Sequence, residues 1–138
     1  MTKYLLDTNV VSELRKRRPH RGVLAWLDKQ PGETVFISAV TMGELQAGVE
    51  RLRRQDSPKA REIELWVDQL DASSQMLTMD TAAFREWGRI MDGKPSELFA
   101  DAMIAALARV HGLVVATRNE KDFRHFDVRL LNPFAFKA

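Results

Sequence analysis

The chain has 138 residues, of which 45% are hydrophobic and 29% charged, and it carries a net charge of +2. Those values describe one folded domain, residues 1–138, able to bury roughly 68–70% of its unfolded surface, and they exclude a disordered or fibrous chain. With no cysteine, disulfides, thiolate metal sites and cysteine nucleophiles are excluded together, so any metal must use oxygen or histidine.

Residues 3–6 read as a short strand ending at Asp7. Tyr4-Leu5-Leu6 is too short for a signal-peptide core, and no window approaches 18 consecutive apolar residues, so a soluble cytoplasmic protein without a membrane partner is expected. Val10 to Lys16 has Val10, Val11 and Leu14 on one helical face, and Arg17 to Arg21 follows as a basic, proline-containing loop. Val23, Leu24 and Leu27 mark a second helix stopped by Gln30-Pro31-Gly32, and Thr34 to Ile37 is a β-branched and aromatic strand.

Thr41 to about Arg54 has helical spacing, and Ser57-Pro58 starts another helix that runs through Trp66 and Leu70. Met76 to Met79 reads as a third strand, Thr81 to Met91 as a helix, and Asp92-Gly93-Lys94-Pro95 as a break. Glu97 to Val110 is the clearest helix, ended by Gly112 before the strand Leu113 to Val115, and Val128 to Leu131 is a last strand. Strands alternating with helices predict right-handed crossovers, hence a three-layer α/β/α sandwich on a mainly parallel sheet of four to five strands. In open sheets of this class ligands gather outside the carboxyl ends of the strands.

Several acids occupy those places. Asp7 and Asp80 follow strands and both suit helix N-caps; for Asp7 the pattern leaves capping and function open. Glu44 follows Thr41 by three residues, as in a capping box, yet Gly43 and Gly48 nearby are costly in a helix, as if something approached the backbone there. Asp101 reads as a mid-helix acid beside Leu98, Ile104 and Ala105, where it is costly unless paired with an arginine, protonated or bound to a cation. Thr117, Asn119 and Asp122 lie in a polar loop after the fourth strand. Acids converging at one edge of the sheet would repel one another and invite a divalent ion, and all-oxygen ligands favour Mg²⁺ or Mn²⁺, ions suited to phosphodiester chemistry. Neutralising Asp7 or Asp101 as asparagine is then expected to leave the fold intact or more stable.

The stretches "LLDTNVVSEL", "ISAVTMGELQAG", "FADAMIAALARVHGL" and "VVATRNEKDF" followed by "LLNPF" come in an order and spacing that resembles the PIN-domain ribonucleases, in particular the VapC and FitB toxins of type II toxin–antitoxin pairs. The resemblance implies a metal-dependent endoribonuclease in which Asp7, Glu44 and Asp101 bind Mg²⁺ or Mn²⁺ and a metal-activated water attacks RNA. It also implies supporting roles for Asn9, Thr117 and Asn119, and Asp122 as an assisting acid, with a turn cap before Phe123 as its structural alternative. A homodimer, a cognate antitoxin that blocks the acids, and operator DNA bound only through that antitoxin follow from the same resemblance.

Two other classes compete. A phosphatase of the haloacid-dehalogenase type also starts with an aspartate after strand one but needs an acid two residues later, where this chain has Asn9. An RNA-binding or interaction domain without nuclease activity is consistent with the basic clusters Arg15 to Arg18 with His20 and Arg21, Arg51 with Arg53 and Arg54, and Arg118 with Lys121 and Arg124.

Overall fold

Short runs of aliphatic and aromatic residues build the sheet. In the computed structural model, which describes residues 1–137, β1 (Tyr4–Leu6), β2 (Val35–Ser38), β3 (Met76–Leu77), β4 (Val114–Ala116) and β5 (Leu130–Leu131) lie all parallel in the order β3-β2-β1-β4-β5. β1 is the middle strand, with Leu5 beside Phe36 on one side and Val115 on the other. Helices cover both faces, which is why Leu5 and Leu6, pointing opposite ways, are both buried.

Around this sheet run α1 (Thr8–Glu13), α2 (Arg21–Asp28), α3 (Ala39–Arg53), α4 (Ser57–Ser73), α5 (Thr81–Met91), α6 (Phe99–His111) and α7 (Glu120–Phe123). Leu5 and Val115 pack with Ala83, Ile90, Ile104 and Leu107 of α5 and α6. Leu6, Ile37 and Ala116 pack with Val10, Val11, Val23 and Trp26 of α1 and α2 on the opposite face. The expected sandwich is therefore present, with five strands.

The differences from expectation lie at element ends and have local causes. β3 and β5 are two residues each instead of four. β2 runs through Ser38, whose hydroxyl accepts the Thr41 N–H at 3.1 Å and starts α3 at Ala39, so the capping box between Thr41 and Glu44 does not form. Glu44 is sixth in that helix, past the free N–H groups of the first turn. The helix expected from Glu97 is divided: Ser96–Leu98 is a 3₁₀ turn, Leu98 departs to φ −93° and ψ 5°, and α6 begins at Phe99. Asp101 is consequently the third residue of α6, in its first turn rather than at mid-helix. Asp80 caps α5 as expected, its Oδ1 accepting the Ala83 N–H at 2.9 Å.

The polar loop after β4 contains α7, pinned by Phe123, which is fully buried and meets the Phe126 ring edge-on at 5.8 Å. Among the described residues no helix is long and apolar enough to cross a membrane. From β1 the chain moves outward through β2 and β3, then returns to build β4 and β5 on the other side. The carboxyl ends of β1 and β4 therefore flank the point where strand order reverses, the crevice in which open α/β sheets bind ligands.

Candidate active site

Asp7 sits in that crevice because its own N–H donates to the Ala116 carbonyl at 2.9 Å, extending the β1–β4 pairing by one residue. Its carboxylate is nearly buried, 4% exposed, and both oxygens are used: Oδ1 accepts the Thr8 N–H at 2.8 Å, while Oδ2 accepts the Thr117 hydroxyl at 2.8 Å and the Asn9 amide at 3.1 Å. Capping and site-building thus coincide in one side chain, since a carboxylate has lone pairs enough for both. Thr117, fully buried, spends its single proton on Asp7 and accepts the Asn119 N–H at 2.9 Å, and the Asn9 carbonyl oxygen accepts the Arg118 N–H at 3.2 Å. These bonds tie the ends of β1 and β4 into one bracket.

Glu44 comes from the second turn of α3 and is exposed, and its Oε1 accepts the Thr8 hydroxyl at 2.6 Å. Asp122 projects from α7, its Oδ2 accepting the Asn119 side-chain amide at 2.8 Å. Asp101 is half-buried, and among the described residues its carboxylate has neither a hydrogen bond nor an arginine, so neither the salt bridge nor a cap accounts for it.

The electrostatics connect all four acids. Burial, followed by the charges of Asp7, Glu44 and Asp122, pushes the Asp101 carboxyl up to about 6. Burial also raises Asp7, with Glu44 adding to it, against the lowering effect of its bonds from Thr117, Thr8 and Asn9. A carboxyl raised in the folded state stabilises below its unfolded value, here 3.8, and that stabilisation is lost as pH rises through about 6. Asp101 in solvent contact is expected to contribute about 1–2 kcal/mol of such loss between pH 4 and 7. Urea unfolding of wild type and Asp101→Asn checks this: the stability advantage of the variant should grow from pH 4 to pH 7, and a pH-independent difference would refute it.

The donor set is oxygen from carboxylates, which suits a hard divalent cation. Among the described residues, however, no three acidic or histidine side chains are gathered closely enough to cage an ion as they stand. The acids face one another across the crevice, and their mutual repulsion is what a cation would offset in drawing them together.

A family model, the PIN domain, matches residues 4–129. The chain belongs to the PIN-domain family. It is similar to VapC ribonuclease Y4jK of Sinorhizobium fredii, 35% identical over 140 residues that cover 94% of this chain and 96% of the relative. Toxin FitB of Neisseria gonorrhoeae is also 35% identical, over 94% of this chain and 97% of that protein. The crystal structure of FitAcB from Neisseria gonorrhoeae superposes with a TM-score of 0.80 at 34% identity, covering 96% of this chain and 99% of that one.

In this PIN domain the residues singled out from sequence lie at one edge of the sheet: Asp7, Asn9 and Thr117 are directly bonded, Asn119 and Asp122 form a second bonded pair, and Glu44 and Asp101 face them. Thr41 and Ser38 were not among the expected site residues, though their hydroxyls reach Glu44 in series through that of Thr8. The sequence signal for them was ambiguous, because a threonine or serine at a helix start looks like a cap whatever else it does. The glycine argument also changes: a Cβ at Gly43 would meet nothing within 4 Å, and one at Gly48 only the Arg51 guanidinium at 3.7 Å. Among the described residues no backbone approach therefore accounts for either glycine. Gly48 instead leaves room in a groove of about 360 Å³ beside Glu44, with Leu45, Val49, Leu52 and Ile63 as its apolar lining and Arg15 and Arg51 among its residues.

The basic clusters of this PIN domain are partly spent within the fold. Arg53 pairs with Glu50 and Glu64, each at 3.0 Å, and Lys16 pairs with Glu13 at 2.9 Å. Arg118 lies over the Phe134 ring at 4.6 Å.

Proposed function

We propose that this PIN domain is an endoribonuclease toxin, dependent on Mg²⁺ or Mn²⁺ and held silent by a cognate antitoxin. The observation that carries the reading is Asp101: a half-buried carboxylate with no partner among the described residues, raised first by burial and then by three other acids that arrive from separate segments of the chain. The kinship with VapC ribonuclease Y4jK and Toxin FitB supports RNA as substrate.

In this reading Asp7, Glu44 and Asp101 would hold the cation. A cation bound there would supply charge neutralisation at the phosphodiester and a lowered pKa for an attacking water. The chain's residues do the rest. Thr117, Asn9 and the Thr8 N–H keep Asp7 in one orientation, so little reorganisation is left for the moment of reaction. Asp122 has Oδ2 occupied by Asn119 and keeps Oδ1 to receive a proton from the water. The water oxygen adds to phosphorus, the bond to the leaving ribose oxygen breaks, and that oxygen is protonated from solvent.

The antitoxin is read as a segment lying in the apolar, arginine-flanked groove, which reaches the acids at Glu44. A homodimer, and operator DNA engaged only through the antitoxin, complete the proposal. The phosphatase reading is disfavoured by Asn9, which donates to Asp7 instead of supplying a second acid. A binding-only domain is disfavoured because it gives no role to Asp101 and the three acids that face it.

Metal removal tests the reading. Chelated protein incubated with a panel of structured RNAs should show no cleavage, and added Mn²⁺ should restore it; undiminished cleavage after chelation would overturn the assignment.

A further inference from the structure

We propose that Thr8 is a positioning residue that sets the Glu44 carboxylate in place through a directed chain of hydroxyls beginning at the cap of α3. The inference rests on the nuclease reading of the acids and adds to it a group that touches neither substrate nor cation.

The direction of the chain follows from counting protons. Each hydroxyl has one to give, and a carboxylate oxygen has none. The Thr8 hydroxyl stands 2.6 Å from Glu44 Oε1 and 2.9 Å from the Thr41 hydroxyl. If Thr8 gives its proton to Glu44, Thr41 must give its own to Thr8. Ser38 then points its proton at Thr41, at a longer 3.4 Å, while accepting the Thr41 N–H at 3.1 Å. Every proton runs the same way, towards Glu44.

The far end of this chain is anchored in the core. Ser38, the cap that ends β2, and Thr41, in the first turn of α3, are both fully buried. The near end needs holding, because Glu44 is a long side chain on an exposed part of the same helix. Thr8 meets it from across the crevice, at the first position of α1. One residue thereby serves both acids: its N–H binds Asp7 at 2.8 Å and its hydroxyl binds Glu44 at 2.6 Å. That arrangement fixes the approach of two carboxylates that repel each other, which is the role outer partners play around metal ligands.

The test uses purified full-length protein, with Mn²⁺ affinity read by calorimetry or electron paramagnetic resonance, kcat and KM read on a cleaved RNA, and melting temperature. Thr8→Val removes the hydroxyl, Thr8→Ser keeps it, and Thr8→Ala removes it while placing a good helix former at the start of α1. Thr8→Val and Thr8→Ala should each weaken Mn²⁺ binding about 10–100-fold and lower kcat with KM for RNA little changed, and Thr8→Ser should restore both. Thr41→Val, one bond further back, should show a smaller loss of the same kind. Unchanged Mn²⁺ affinity in Thr8→Val and Thr8→Ala, with only the melting temperature lowered, would overturn the proposal and leave Thr8 a structural residue. Glu44→Gln separates the two levels: if it loses Mn²⁺ while Thr8→Ala keeps it, the positioning role alone fails; if it binds Mn²⁺ as wild type does, the assignment of Glu44 as a ligand fails first.

Discussion

Asp101→Asn is expected to abolish RNA cleavage while raising the melting temperature. The loss of activity should exceed about 100-fold, since removing residues that merely support metal ligands already costs 10–100-fold. The gain in stability comes from the same charge. Burial and three acidic neighbours hold the Asp101 carboxyl at about 6, so at neutral pH the folded chain keeps it ionised at a cost. A negative charge in the first turn of α6 recovers about 0.3–1 kcal/mol from the helix terminus, but the raised value means that burial and repulsion outweigh it. The net gain of about 1 kcal/mol corresponds to a rise of about 3 °C for a chain of this size. RNA cleavage assays with Mn²⁺ and a thermal melt at pH 7.5 check both halves. Cleavage equal to wild type would remove Asp101 from the site, and a large fall in melting temperature would return it to a structural role.

Asp7→Asn is expected to lose activity just as completely but to destabilise the chain, in contrast to the simple expectation that relieving repulsion favours the fold at either acid. Asp7 accepts from three donors with two oxygens. An asparagine turns its NH₂ either onto the Thr8 N–H or onto the Asn9 amide and the Thr117 hydroxyl, so one orphaned donor pair remains in a buried place. An unsatisfied buried donor costs about 1–3 kcal/mol, and relief from burying a charge offsets part of it, leaving a loss of about 1–2 kcal/mol. Chemical unfolding of Asp7→Asn and Asp101→Asn side by side should therefore give shifts of opposite sign. Shifts of the same sign would show that the bracket around Asp7 is not what separates the two acids.

The contrast between these two residues also shows how far the sequence carried. The alternation of apolar strands with amphipathic helices was sufficient for the three-layer architecture, because burial on both faces of a parallel sheet leaves a local signature: Leu5 and Leu6 had to be apolar in succession, and they are. The short edge strands were overextended, since β3 and β5 each pair on one side only, and pairing across space decides where such strands stop. The residue types and chain positions of the acids, Asp7, Glu44, Asp101 and Asp122, were likewise legible in the motifs.

What each acid touches was decided by the tertiary structure. Asp101 was singled out as a mid-helix acid, and the 3₁₀ turn at Ser96–Leu98 places it in a first turn instead, yet its lack of a partner preserves the interest in it. The capping box at Thr41 and Glu44 was a sound local pattern, but β2 ran one residue further and gave the cap to Ser38, freeing Glu44 for Thr8, thirty-six positions away. Sequence alone thus determined which layers form, because hydrophobic periodicity and strand-to-helix order are local properties, while the grouping of Asp7, Glu44, Asp101 and Asp122 into one site was what the resemblance to the PIN-domain ribonucleases implied. Only the tertiary structure determined that Thr117 and Asn9 hold Asp7, that Thr8 holds Glu44 and that Asp101 has no partner among the described residues, because hydrogen bonds between residues far apart in the chain depend on where strand ends meet in space.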